Sequence, residues 1–190
     1  MNLEYFKKIS TGLIPVGCND QDTQKEIESR GAILDSTDED YLWYRKARML
    51  MSTDSEMGTI LSELDDCPLE CDGLTRVISL ILSRAGIVHE VFAGKVQMNG
   101  SSRIVQPHLW IILSDNTMID FRIRMWMGDR VEVPHGHFDP VSFQHMHYQG
   151  SPIEGWEKEN SYALILATIN QIDVTSYENK LLHLSSRKTN

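Results

Sequence analysis

Cysteine is scarce in this chain, which has only Cys18, Cys67 and Cys71 among its 190 residues. A small, odd number of cysteines favours free thiols in a reducing compartment over a disulfide framework. Long hydrophobic runs are missing as well, since no segment has the roughly 20 apolar residues that a transmembrane helix requires. The first residues, MNLEYFKKIS, also lack the apolar core of a secretory signal. We therefore expect a cytoplasmic protein with no membrane partner.

Positive charge is also in short supply, because 18 Lys and Arg residues stand against 27 Asp and Glu residues, for a formal net charge of -9. The imbalance lies in segment 1–66, which has 7 basic and 14 acidic side chains, whereas the remainder has 11 and 13. Binding to nucleic acid or to an anionic membrane needs clustered cations, so neither is an expected partner. A solvated acidic surface is the simplest interpretation of the charge.

The composition fits one folded domain that spans residues 1–190. Hydrophobic residues make up 41% of the chain and charged residues 24%, with no internal repeat and no low-complexity tract. We divide the domain into a helical N-terminal part over 1–66, a core over 67–127, and a part over 128–190 made of loops and a C-terminal helix. In the first part, helices are predicted over 20–30, 39–51 and 54–64.

The clearest helical pattern follows Pro68, which interrupts the preceding helix. Apolar residues recur there at helical spacing, and Gly86 is placed to end the helix. They are Leu74, Val77, Ile78, Ile81, Leu82 and Ala85. Cys71 lies three residues before Leu74, so its thiol is predicted at the helix N-terminus on the side that faces the core.

The pattern changes to that of strands after Gly86. Strands are predicted over 87–98, 103–113 and 118–127, with a turn in the SDNT segment at 114–117. The segment from 128 onward is expected to form loops with one short strand at 130–133, before a helix over 160–173 and frayed residues at 185–190. These elements predict an α+β protein in which the cysteine-bearing helix packs on an antiparallel sheet.

A cysteine at a helix N-terminus suits nucleophilic chemistry, because the free backbone N–H groups and the helix dipole favour the thiolate. Such a nucleophile needs a base, and the base needs a group that fixes its tautomer. His108 on the second strand and Asp120 on the third are the best pair that the sequence offers.

Strand register decides whether this pair can meet. A two-residue loop between the second and third strands would put the two side chains on opposite faces. A three-residue loop, with Asn116 in the left-handed position, would place Trp110 opposite Asp120 and bring His108 to the same face. We predict a loop with an odd number of residues, such as this one, or a compensating bulge. One face then carries Leu109, Ile111, Leu113, Ile119, Phe121 and Ile123, and the other carries His108, Trp110, Asp120 and Arg122.

Cys71, then GI at 86–87 and Gly94, resembles the cysteine helix and first strand of transglutaminase-like domains. HLW at 108–110 is similar to the H-x-W motif of these domains, and Asp120 matches the aspartate that follows on their next strand. The resemblance implies a papain-like fold and a Cys-His-Asp triad that performs acyl chemistry through a thioester. We expect no cofactor and no metal.

The expected function is therefore a cysteine-dependent acyl-transfer enzyme that acts on the amide bonds of a protein or peptide. We expect a hydrolase (a peptidase, amidase or deamidase) with Cys71, His108 and Asp120 as catalytic residues. Trp110 and Arg122 are the candidate substrate-binding residues. Arg122 is also able to pair with Asp120 or with the acidic N-terminal surface, and Trp110 is able simply to pack.

Two other functions stay open at the level of the sequence. Glu70 before the cysteine and the FR segment after Asp120 are unusual for the family, and they suit a binding module with a weakened triad. An N-acetyltransferase-like enzyme has the same residue order. A metal site that combines Cys67 and Cys71 with His135, His137, His145 and His147 is a remoter alternative, since no usual zinc-ligand spacing is present.

Overall fold

The structure, a computed structural model, describes residues 6–9, 12–15, 55–130, 132–156 and 160–187. The helices predicted over 20–30 and 39–51 lie outside these residues. The described helices are α1 (Glu56–Ser62), α2 (Cys71–Arg84), α3 (Ile123–Met127), α4 (Asn160–Ile169) and α5 (Val174–Arg187). The strands are β1 (Phe6–Ile9), β2 (Gly12–Pro15), β3 (His89–Met98), β4 (Ile104–Leu113), β5 (Met118–Asp120), β6 (Gly136–Phe138) and β7 (Met146–Pro152).

The central element is a five-stranded sheet with the strand order β6-β5-β4-β3-β7. All its neighbouring strands are antiparallel, and β1 and β2 form a separate antiparallel pair. The α+β class with an antiparallel sheet is therefore confirmed. The β1–β2 pair shows in addition that segment 1–66 is not purely helical.

Helix α2 begins at Cys71, and its apolar residues pack against one face of the sheet, as the spacing predicted. Leu74, Val77 and Ile81 are almost fully buried in a core that they share with Ile111 and Ile119. The helix ends in a Schellman-type turn: Gly86 has φ +69°, and the Ile87 N–H donates to the Leu82 carbonyl at 2.9 Å. This turn ends α2 just before β3 begins.

The β4–β5 connection is the predicted three-residue loop. Ile111 pairs with Ile119, and the Leu113 N–H donates to the Thr117 carbonyl at 2.9 Å. Asn116 has φ +66°, the left-handed conformation expected of it. Continued by one residue, this register puts Trp110 opposite Asp120, on the face that also carries His108.

The third strand is shorter than predicted, because β5 ends at Asp120 and the chain turns into α3. The carboxylate of Asp120 causes this turn: its Oδ1 accepts hydrogen bonds from the Arg122 N–H at 2.9 Å and the Ile123 N–H at 3.0 Å. Side chains of this kind compete with strand pairing. Two predicted positions are therefore wrong: Arg122 does not pair with His108, and Ile123 belongs to the core on the opposite face of the sheet.

The segment from 128 onward contains more regular structure than predicted. Strands β6 and β7 pair with β5 and β3 at the two edges of the sheet, whereas the described residues at 130–133 form no strand. The helix predicted over 160–173 is confirmed as α4, but α5 was not anticipated and extends into the segment expected to fray. None of the helices in the described parts has both the length and the apolar character needed to cross a membrane.

Two glycines let β7 lie close to β3. A Cβ atom on Gly94 would lie 2.1 Å from the Gln149 carbonyl oxygen, and one on Gly150 would lie 2.4 Å from the Ala93 carbonyl oxygen. Both contacts are with backbone atoms, which cannot move aside. The close approach places the side chain of Tyr148 over the same face of the sheet as Trp110.

Candidate active site

Cys71 is the first residue of α2 and is partly exposed. The residue before it, Glu70, takes the N-cap position but makes no side-chain capping bond, and its side chain is exposed. The Glu70 side chain therefore accepts no hydrogen bond from the first backbone N–H groups of the helix. They are available to an anion that forms at the sulfur or next to it.

His108 lies close enough to interact with the Cys71 thiol. Its side chain nevertheless projects from β4 on the face of the sheet opposite to α2. The contact is possible because β5 leaves the edge of β4 after Asp120, which opens that edge at the level of His108. His108 is fully buried. Its Nε2 lies 2.7 Å from Oδ2 of Asp120, while Nδ1 has no partner in hydrogen-bond geometry. One ring nitrogen is therefore hydrogen-bonded to the carboxylate, and the other remains available for a hydrogen bond.

The protonation of His108 is set by its neighbours. Burial lowers the pKa of this imidazole, but the charge and hydrogen bond of Asp120, with smaller effects from Cys71, outweigh burial and raise the pKa from 6.5 to about 10. An imidazolium between a carboxylate and a sulfur favours the thiolate, which is the reactive form of cysteine. The arrangement therefore favours a positively charged His108 between the Asp120 carboxylate and the Cys71 sulfur.

Asp120 is held by donors on both of its oxygens. Besides the two backbone N–H groups on Oδ1, Oδ2 accepts from His108 and from the Tyr148 hydroxyl at 3.0 Å. Burial raises the pKa of Asp120, but the positive charge of His108 and these hydrogen bonds outweigh it and lower the pKa below 3.8. Asp120 is therefore a fixed anion that orients the imidazole.

Tyr148 is the functional residue that the sequence did not reveal. It lies on β7, in a segment predicted as a loop, and it packs edge-on against Trp110 with ring centroids 5.1 Å apart. Burial and the nearby Asp120 raise the pKa of Tyr148 well above 10.0, so its hydroxyl remains a donor. An isolated tyrosine in a glycine- and histidine-rich segment carries no local signal of this role.

Arg122 does not face substrate, contrary to its predicted role. It is buried, and its guanidinium donates to Asp65 Oδ1 at 2.9 Å and to the carbonyls of Cys67 at 2.8 Å and Leu69 at 2.7 Å. These acceptors all lie in the loop that leads into α2. Arg122 therefore fixes the loop before the thiol, and its ion pair with Asp65 is the acidic-segment alternative that the sequence left open.

Trp110 packs in the interior and does not line an opening. Its exposed fraction is 1%, and it stacks between Phe92 and His108 with ring centroids 6.1 and 6.3 Å away. A residue covered in this way cannot contact a substrate. Its role is to hold the plane of the His108 ring.

The remaining histidines have partners away from the thiol. His135 contacts Asp65 at 3.0 Å, and His137 bridges Ser55 and Thr117. Among the described residues, no group of three or more His, Cys, Asp or Glu side chains is arranged to hold a metal ion. The ligand set of the metal alternative is thus not brought together.

The triad candidates Cys71, His108 and Asp120 do come together, and this is the feature that the sequence predicted best. Comparisons with protein-family models, with curated proteins and with solved structures found no match for this chain. The geometry of the site therefore has to carry any functional assignment.

Proposed function

We propose that this protein is a cysteine-dependent acyl-transfer enzyme that hydrolyses amide bonds in a peptide or protein. One observation carries the proposal: His108 lies between the Cys71 thiol and an Asp120 carboxylate that is fixed by four hydrogen bonds. The partly exposed Cys71 thiol lies close enough to the ring to raise the His108 pKa, and a purely structural histidine needs no such neighbour. Nucleophile, base and orienting group are the three parts that acyl transfer requires.

The reaction begins when the Cys71 sulfur forms a bond to the amide carbonyl carbon and the C=O electron pair moves onto oxygen. The Cys71 N–H at the start of α2 contributes to binding that oxyanion. As the intermediate collapses, the C–N bond breaks, and His108 gives its proton to the leaving amine. Water then attacks the thioester after losing a proton to His108, and the sulfur leaves as thiolate.

Hydrolysis is the outcome that the exposure of the site favours. Cys71 is partly exposed, so water reaches a thioester formed there. Transfer to an amine needs a site that keeps water away. We accordingly propose a peptidase, amidase or deamidase on a papain-like core of the transglutaminase type. The need for a free thiol suits a reducing compartment such as the cytoplasm.

The first test is alkylation of the intact protein with iodoacetamide at pH 6, with mass mapping of the modified cysteines. An ordinary thiol with a pKa of about 8.5 is only about 0.3% ionised at that pH, so rapid modification of Cys71 requires a stabilised thiolate. His108→Ala should slow the reaction, and the exposed His147→Gln should not. Cys67 serves as an internal reference, because burial raises the pKa of its thiol above 9.0.

A binding module with an inactive triad is the rival function, and the complete burial of His108 favours it. A proton on a fully covered ring reaches a leaving group only past the sulfur. The rival predicts that Cys71 reacts like a model thiol at pH 6 and that His108→Ala leaves its rate unchanged. That pair of results would remove the enzymatic proposal.

A further inference from the structure

A second nucleophile–imidazole pair lies on the same helix, outside the site described above. Ser79 is on the third turn of α2, and His89 is the first residue of β3. Both line a cavity of about 230 Å³, as do Trp156 and the exposed residue Glu90. Cys71 is not among the residues that line this cavity.

The hydrogen bonds of this pair define the tautomer of His89. Its Nδ1 lies 2.8 Å from the Ile87 carbonyl oxygen, which can only accept, so Nδ1 carries the proton. In the neutral ring Nε2 is then an acceptor, and it lies 2.7 Å from the Ser79 hydroxyl, which donates to it. A serine that donates to an imidazole whose other nitrogen is anchored has the arrangement of a serine nucleophile and its base.

Trp156 supplies a donor at the same position. Its Nε1–H donates to Ser79 Oγ at 3.0 Å, and the guanidinium carbon of Arg76 lies 4.2 Å from the centre of the indole ring. In a tetrahedral adduct, the oxyanion is bonded to the carbon that Oγ attacks, so a donor this close to Oγ is within reach of the oxyanion. Trp156 is thus placed to stabilise negative charge as it develops.

We propose that this cavity is a second active site, in which Ser79 attacks esters of short-chain carboxylic acids. The cavity is smaller than the roughly 300–1,000 Å³ of pockets that hold drug-sized ligands, so the acyl group it admits is small. Eight residues separate Ser79 from Cys71, which is about 12 Å along the helix axis. The two sites therefore act on separate substrates, and this proposal does not depend on the function proposed above.

The chemistry balances with water as the second reactant. Oγ of Ser79 forms a bond to the ester carbonyl carbon, its proton passes to Nε2 of His89, and Nε1–H of Trp156 binds the oxyanion. Collapse breaks the ester C–O bond, and His89 returns the proton to the departing alkoxide. Water, deprotonated by His89, then hydrolyses the acyl-serine, so that the carboxylic acid leaves and the serine hydroxyl is restored.

The test is a fluorophosphonate probe, which loses fluoride to an activated serine, applied to the full chain and followed by peptide mapping. Modification of Ser79 is the expected result. His89→Gln should slow it by about 10²-fold, the usual contribution of a general base. Ser83→Ala, an exposed serine on the same helix, should leave the rate unchanged.

A second measurement uses p-nitrophenyl acetate with the Cys71→Ala protein, in which hydrolysis by the thiol is removed. Steady release of nitrophenol that Ser79→Ala abolishes, with circular dichroism showing that this variant is folded, supports the proposal. Failure of the probe to modify Ser79 in the unsubstituted chain overturns it, whatever the behaviour of the variants. Modification of Ser79 at the same rate in His89→Gln also overturns it.

Discussion

The two imidazoles that accompany α2 differ in what their anchored nitrogen meets. His108 faces a buried carboxylate at 2.7 Å, whereas His89 faces a backbone carbonyl at 2.8 Å. A carboxylate places a full charge beside the ring and stabilises imidazolium, while a carbonyl orients the ring without adding a charge. The third member of each group therefore sets the charge next to the ring: Asp120 favours imidazolium at His108, whereas the Ile87 carbonyl fixes only the orientation of His89.

The largest effect should come from Arg122→Met, because the loop before the thiol depends on the buried ionic contact between Arg122 and Asp65. Loss of the guanidinium removes a donor from two carbonyls of the loop before α2 and from Asp65, which keeps its contact with His135. Breaking a buried ion pair typically costs about 3–5 kcal/mol. Urea unfolding measures this loss. In the folded variant, iodoacetamide should modify Cys71 more slowly, while fluorophosphonate labelling of Ser79 stays unchanged. Equal slowing at both serine and cysteine would contradict the separation of the sites.

Asp120→Asn should reduce the positive charge on His108 and the negative charge on Cys71. Without the carboxylate, burial is the main influence on His108 and lowers its pKa, so the thiolate loses its cation. A fully ionised thiolate that reverts to an ordinary thiol loses about 10²-fold in its rate of alkylation at pH 6. The rate of Cys71 modification by iodoacetamide measures this change. A rate that stays at the original value would show that Asp120 is a structural residue only.

Tyr148→Phe tests the donor that the sequence did not reveal. It removes one hydrogen bond to a charged carboxylate, an interaction worth about 1.5–3 kcal/mol. The free energy of unfolding should fall by that order, and the rate of Cys71 alkylation at pH 6 should fall less than in Asp120→Asn. Tyr162→Phe, at an exposed position on α4, is the matched control. If both variants behave alike, Tyr148 contributes packing alone.

The smallest effect is expected in the pH dependence of the free energy of unfolding, which distinguishes His108 from His89. The pKa of His108 is raised from 6.5 to about 10, so its stabilisation is complete below pH 6.5 and is lost as the pH rises toward 10. The slope is at most about 1.4 kcal/mol per pH unit. Urea unfolding of the Cys71→Ala protein between pH 6.5 and pH 8 measures it, because a Cys71 thiolate would offset the proton on His108 and the thiols of the unfolded chain ionise above this range. His108→Gln should remove the slope, and His89→Gln should keep it.

Local patterns were sufficient to predict the parts of the molecule that depend on neighbouring residues. The period of α2 and the loop around Asn116 follow from side-chain spacing and turn chemistry, and together they place Cys71, His108 and Asp120 near one another. The end of β5 depends instead on side-chain hydrogen bonds, which the alternation of apolar and polar residues does not reveal. Asp120 binds the next two backbone N–H groups, so a segment with the alternation of a strand becomes a helix.

The rest depends on contacts between distant parts of the chain, which no short window of sequence contains. Strands β6 and β7 are short and rich in glycine and histidine, and they are strands because β5 and β3 offer free edges. Arg122 looked like a substrate residue because Arg122, Arg124 and Arg130 concentrate positive charge near the predicted site, yet its partners lie more than fifty positions earlier. Tyr148 and Trp156 became visible as donors only once β7 and the turn after it were in place.

The tight fit of β7 on β3 has a consequence for which sequences this fold tolerates. At positions 94 and 150 even a methyl group would overlap backbone atoms of the adjacent strand. A saturation library at either position should therefore yield glycine alone, although neither residue reacts with anything. Selection on the thiol chemistry would then act on Gly94 and Gly150 as well, because these two residues allow Tyr148 to approach Asp120.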